Sequence, residues 1–151
     1  MKTLFTFTLL LLFTGAFAQE NKGLYDANLA QKLGADAYGM KSYIFVILVT
    51  GKYLPKDTAE SNRLFAGHMA NIGQLAKEGK LIVAGPFGKN DKSYRGLFIL
   101  NANNKEEAMK YLQADPSIAI GLFDVELFPW YGSAALPEYL PIHDKIQQKG
   151  F

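Results

Sequence analysis

The run SYIFVILV, Ser42 to Val49, decides the fold. It is β-branched and aromatic, with little polar alternation. A continuous apolar run of this length reads as a strand covered on both faces, at the centre of a sheet. Thr50-Gly51 ends it, and Pro55 stands in the connection that follows. The next segment has a different period. Leu64, His68, Ile72, Leu75 and Gly79 fall at spacings of four, four, three and four. That spacing places them on one face of a helix over 58–78, capped by Asp57 or Thr58 and stopped at Gly79. KLIVAGPF, Lys80 to Phe87, is the next strand. Gly85-Pro86 closes it, because proline offers no ladder donor.

The polar turn GKNDKS, Gly88 to Ser93, is short. It predicts that the following strand, Tyr94 to Leu100 (YRGLFIL), runs antiparallel to the one before. Asn103 or Asn104 can cap a second helix over 105–114, with Ala108, Tyr111 and Leu112 on its inner face. Asp115-Pro116 is read as the end of that helix, since the residue before proline is pushed out of the α region. LFDVELF, Leu122 to Phe128, is a fourth strand with visible alternation. A tail over 132–151 holds Pro137 and Pro141 and a short amphipathic stretch.

The order β-α-β-β-α-β is an α+β, ferredoxin-like arrangement. Two helices cover one face of such a sheet and leave the other open. Apolar residues on both sides of these strands predict that a second copy covers it, as a symmetric homodimer.

Upstream of the first strand, residues 19–40 form a leader. Asp26 to Leu33 reads as a short helix with Asp26 as N-cap and Gly34 as its stop. The first 18 residues carry a cationic Lys2, an apolar run from Leu4 to Phe13 and an Ala16-Phe17-Ala18 cleavage site. Those parts, in that order, are a secretory signal peptide. The run is shorter than the about 20 apolar residues of a membrane span. The expected address of the mature chain is therefore secreted or periplasmic, with no membrane attachment after cleavage.

Composition narrows the chemistry. There are 16 basic and 14 acidic side chains and no basic cluster, which argues against nucleic acid as a partner. Cysteine is absent, so disulfides, thiolate catalysis and cysteine metal sites are excluded. Two distant histidines without H-E-x-x-H spacing predict no catalytic metal. No nucleophile elbow, P-loop or dinucleotide fingerprint is present. An enzyme built from this sequence is expected to work without a cofactor.

Three segments, taken together, resemble the YCII (YciI-like) family. They are GKLIVAGPF (Gly79 to Phe87) after a helix carrying His68, ADPSIAIG (Ala114 to Gly121), and ELFPWY (Glu126 to Tyr131). The resemblance covers 41–131. It implies a dimeric α/β barrel of ferredoxin-like subunits and an active site centred on a histidine and an aspartate, here His68 and Asp115. Family members often begin at the first strand and often carry an aromatic after the Asp-Pro pair. This chain adds a leader and places Ser117 there.

From the residues alone, His68 on an apolar helix face is either a packed core histidine or a general acid/base. In the second case it needs a partner to fix its tautomer, and the resemblance supplies Asp115. By itself, Asp115 is an ordinary helix-ending residue. Gly85 and Pro86 either wall a pocket or merely end a strand. Trp130 can stack on a flat substrate or serve as a core or dimer contact. Arg95 can pair with an acidic substrate or stand exposed on its strand. His143 reads as a surface residue. Together these give a lyase- or isomerase-type proton-transfer enzyme acting on a small molecule. The alternative is a non-catalytic small-ligand-binding or dimerisation protein.

Overall fold

The computed structural model describes residues 23–149; the segment read as a signal peptide lies outside them. The central run forms β1 (Met40–Thr50), followed by α2 (Thr58–Lys77), β2 (Leu81–Pro86), β3 (Tyr94–Leu100), α3 (Lys105–Gln113) and β4 (Phe123–Ser133). The leader contributes α1 (Ala27–Leu33), and a four-residue helix, α4 (Pro116–Ala119), sits between α3 and β4. A 3₁₀ turn, Leu136–Tyr139, and α5 (Leu140–Ile146) make up the tail. None of these helices is long and apolar enough to cross a membrane.

The sheet order is β2-β3-β1-β4, and every neighbouring pair is antiparallel. This is the ferredoxin-like α+β topology that the element order predicts. SYIFVILV lies at its centre, flanked by β3 and β4. Alternate residues of that run point to opposite faces. Ile44, Val46 and Leu48 pack with Leu75 of α2, Ala108 and Leu112 of α3, and Phe98 and Leu100 of β3 into one buried cluster. Both long helices therefore lie on the same face. On the opposite face, Val83, Ile99, Phe45 and Phe128 stand in register across all four strands.

The caps explain where the helices begin. Asp26, Asp57 and Asn104 each accept from a free amide of the first turn of α1, α2 and α3. Gly34 and Gly79 take the left-handed conformation that ends α1 and follows α2.

Two boundaries differ from the sequence reading. β4 runs past Phe128, through Pro129, to Ser133. It is an edge strand, so a residue without an N–H is tolerated there. The Asp115-Pro116 pair does more than end α3. Asp115 caps α4 and Pro116 occupies its first turn, where a missing N–H costs nothing.

The start of α3 carries a testable pH dependence. Glu107 accepts from the Asn103 backbone N–H (2.8 Å) and side-chain amide (2.9 Å), and from the Tyr111 hydroxyl. The Tyr111 bond, then those to Asn103, hold the Glu107 carboxyl below its ordinary value. The same bond, more than burial, pushes the Tyr111 phenol up to about 12. A carboxylate lowered in the folded state stabilises above its unfolded value and loses that contribution as pH falls through the folded one. A phenol raised in the folded state contributes below its unfolded value and loses that as pH rises through about 12. The urea midpoints of wild type and E107Q should therefore differ most near neutrality and converge as the solution is acidified. A gap that stays constant down to strong acid would contradict this assignment.

Candidate functional site

His68 sits on the buried face of α2, between Leu64 and Leu75. Its ring is wedged among three phenylalanines. The centroids of Phe65, Phe98 and Phe123 lie 6.0, 6.0 and 5.2 Å away. Phe98 is near-parallel to the imidazole at 27°, and Phe123 meets it edge-on at 61°. Contacts on these sides leave the ring little rotational freedom.

The decisive polar contact joins His68 Nδ1 to Asp115 Oδ2 at 2.5 Å, across 47 residues of chain. Asp115 is fully buried and His68 is 6% exposed. The other carboxylate oxygen, Oδ1, accepts from the Ser117 N–H at 2.9 Å, which is the N-cap bond of α4. Both oxygens of a completely buried carboxylate are thus satisfied. A carboxylate only accepts, so in the neutral imidazole the shared proton resides on Nδ1 and the lone pair on Nε2. Nε2 takes no hydrogen-bond partner among the described residues.

His68 also lines a cleft of about 1230 Å³. Phe65, Met69 and Ile72 of α2 form one side of it, with Phe98 and Phe123 beside the imidazole. Gly85 and Pro86, at the end of β2, also line it. Lys89, Asn90 and Arg95 of the β2–β3 hairpin line it as well. Asn90 braces that hairpin, donating to the carbonyls of Gly88 and Tyr94 and accepting from the N–H groups of Lys92 and Tyr94. Lys89 and Arg95 are the charged residue types among those lining the cleft, and both are cationic.

Five of the six residues singled out from sequence therefore meet at or beside one cleft. His68, Gly85, Pro86 and Arg95 line it, and Asp115 stands behind His68. Trp130 does not. It is on β4, its ring 5.8 Å from that of Tyr43 and folded over Gly132, at 37% exposure. His143 is exposed in α5, beside Tyr139. Among the described residues, no three His, Asp or Glu side chains gather as a metal site.

Sequence reasoning gave no structural role to two residues that build the site. Gly67 lies next to His68, and a Cβ there would come within 2.4 Å of Pro116 Cγ. Ser117 is fully buried and its hydroxyl donates to the Leu64 carbonyl at 2.9 Å. The available signal was adjacency: a glycine beside the histidine in mid-helix, and a serine two places after the aspartate.

The YCII-related domain model matches residues 45–131. The chain belongs to the YCII family. Among solved structures, it is similar to 5-chloro-2-hydroxyhydroquinone dehydrochlorinase from Burkholderia phenoliruptrix AC1100, in complex with 2,5-dihydroxybenzoquinone. That match has 26% identity and a TM-score of 0.41, and covers 58% of this chain and 92% of the other. No curated protein matches the chain.

Proposed function

We propose that this YCII protein is a cofactor-independent enzyme that moves protons on a small, ring-shaped substrate. His68 is the general acid/base and Asp115 orients it. The observation that carries this reading is the buried carboxylate fixed to one imidazole nitrogen while the ring lines an apolar cleft. In the forward step, the Nε2 lone pair takes a proton from a substrate carbon or hydroxyl. The imidazolium that forms has its charge balanced by Asp115. The proton then returns to another substrate atom or to a leaving group, which is isomerase- or lyase-type chemistry. The presence of Lys89 and Arg95 among the lining residues, with no Asp or Glu there, supports a substrate bearing an anionic or phenolic oxygen.

Proton transfer can be read without knowing the full reaction. Wild-type protein in D₂O is expected to exchange ring or α-carbon hydrogens of hydroxylated or carboxylated cyclic compounds, followed by proton NMR. H68A should slow that exchange on the order of 10²- to 10⁴-fold. The second reading, a non-catalytic small-ligand-binding protein, is favoured by the apolar lining of the cleft. It would be supported by compounds that bind wild type and H68A alike with no exchange in either.

Two further proposals concern context. The apolar row Val83, Ile99, Phe45 and Phe128 supports a homodimer across the second sheet face, where Phe128 is 46% exposed. Light scattering at micromolar concentration should return twice the chain mass; a monomer would count against it. The signal pattern supports export, and N-terminal sequencing of the mature chain should begin near Gln19.

A further inference from the structure

His68 lies on α2 and Asp115 caps α4, and something must hold those two helices in register. α4 is only four residues long, so it has little stiffness of its own. Its second residue, Ser117, is tied at three points. Its N–H donates to Asp115 Oδ1 at 2.9 Å. Its carbonyl accepts from the Leu122 N–H at 2.9 Å. Its hydroxyl crosses to α2 and donates to the Leu64 carbonyl at 2.9 Å. Leu64 is four residues before His68, so helix geometry makes that carbonyl the acceptor for the His68 amide. One hydroxyl thus links the backbone position that fixes His68 to the amide that fixes Asp115.

We propose that Ser117 is a positioning residue for the His68–Asp115 pair. Its hydroxyl holds α4 against α2 at the turn that carries the histidine, and so sets the Nδ1–Oδ2 contact and the direction of Nε2. Its functional consequence rests on the acid/base reading above, but the geometry can be tested without a substrate. Ser117 has no exposed surface, so its hydroxyl cannot be replaced there by bulk water without opening the helix contact. Ser117 acts through its neighbours; no reacting atom need touch it.

The test is NMR of the imidazole rings in the full mature chain. The chain has two histidines, so the exposed His143 is an internal reference. In wild type, His68 should show a far-downfield Nδ1–H resonance and ring nitrogens of a single tautomer. S117A should lose the downfield resonance and give mixed tautomers at His68, with His143 unchanged. S117C, close in shape but a poor donor, should do the same in part, and decides the matter if S117A does not fold. I118V is the packing control. It trims a neighbouring side chain and leaves the serine bond intact, so the His68 signals should stay as in wild type. If S117A and S117C leave the His68 resonances unchanged, or if I118V disturbs them equally, the positioning role is overturned. Where exchange activity exists, S117A should lower kcat about 10- to 100-fold, with KM little changed. A His68 shift with no activity in any variant would uphold the positioning role and count against the acid/base reading alone.

Discussion

Replacing Asp115 by alanine should destabilise the protein by about 3 kcal/mol, because it breaks a buried polar pair and removes a helix cap in one step. His68 Nδ1 would lose its 2.5 Å partner inside a site that water scarcely reaches. The Ser117 N–H would lose its acceptor at the start of α4. For a chain of this length, that energy corresponds to a fall of about 10 °C in Tm. Scanning calorimetry of wild type and D115A measures it directly, and an unchanged Tm would refute the account.

D115N separates stability from chemistry. The Ser117 N–H needs an acceptor, so the new amide must turn its oxygen there and its NH₂ toward His68. An NH₂ facing Nδ1 demands a lone pair on that nitrogen, which moves the ring proton to Nε2. The nitrogen proposed to act as base would then carry a hydrogen. D115N should stay much closer than D115A to wild-type stability, yet lose activity to about the same extent as H68A, on the order of 10²- to 10⁴-fold, because the base is present in the wrong tautomer. Equal losses of stability in both variants would mean that Asp115 serves the fold alone.

How much of this was legible beforehand depends on the range of each signal. The spacing of Leu64, His68, Ile72 and Leu75 encodes a helix face, because periodicity is local and each residue reports its own side. SYIFVILV encodes a central strand by its unbroken apolar run, a signal that is equally local. The 47-residue separation of His68 and Asp115 is not a local signal, and no periodicity links them. Only the likeness of GKLIVAGPF, ADPSIAIG and ELFPWY to a known family brought the two together. Trp130 shows a different limit. Its type allowed stacking on a substrate or a core or dimer contact, and strand alternation could not tell which part of the sheet surface it would join. The β1–β4 register sets it opposite Tyr43, and its ring lies over Gly132, away from the cleft. α4 was hidden because Asp-Pro is both a helix stop and a helix start, and only the three-dimensional cap on Ser117 chooses between them.

Gly67→Ala should reverse the usual effect of removing a glycine from a helix, and Gly73 in the same helix provides the comparison. Alanine in a helix interior is favoured over glycine by about 1 kcal/mol. At Gly73 an added Cβ meets nothing within 4 Å, so G73A should gain most of that. At Gly67 the Cβ would stand 2.4 Å from Pro116 Cγ and 3.3 Å from its Cδ. Both are inside ordinary van der Waals contact. The neighbour is a closed ring on the first turn of α4 and cannot swing aside like a flexible side chain. α4 must retreat from α2 as a unit, at a cost of about 1–3 kcal/mol that outweighs the propensity gain. G67A should therefore lower the urea midpoint at an unchanged m-value, and G73A should raise it. The functional effect should be larger than the stability effect. Gly67 adjoins His68 and Pro116 adjoins Asp115, so the retreat acts directly on the 2.5 Å contact between them. A misplacement of about 1 Å at a reacting group can cost on the order of 100-fold in rate. G67A should accordingly lose most proton-exchange activity while still folded, and G73A should keep it. If both substitutions stabilise the protein alike, the close approach of α2 and α4 does not constrain the site.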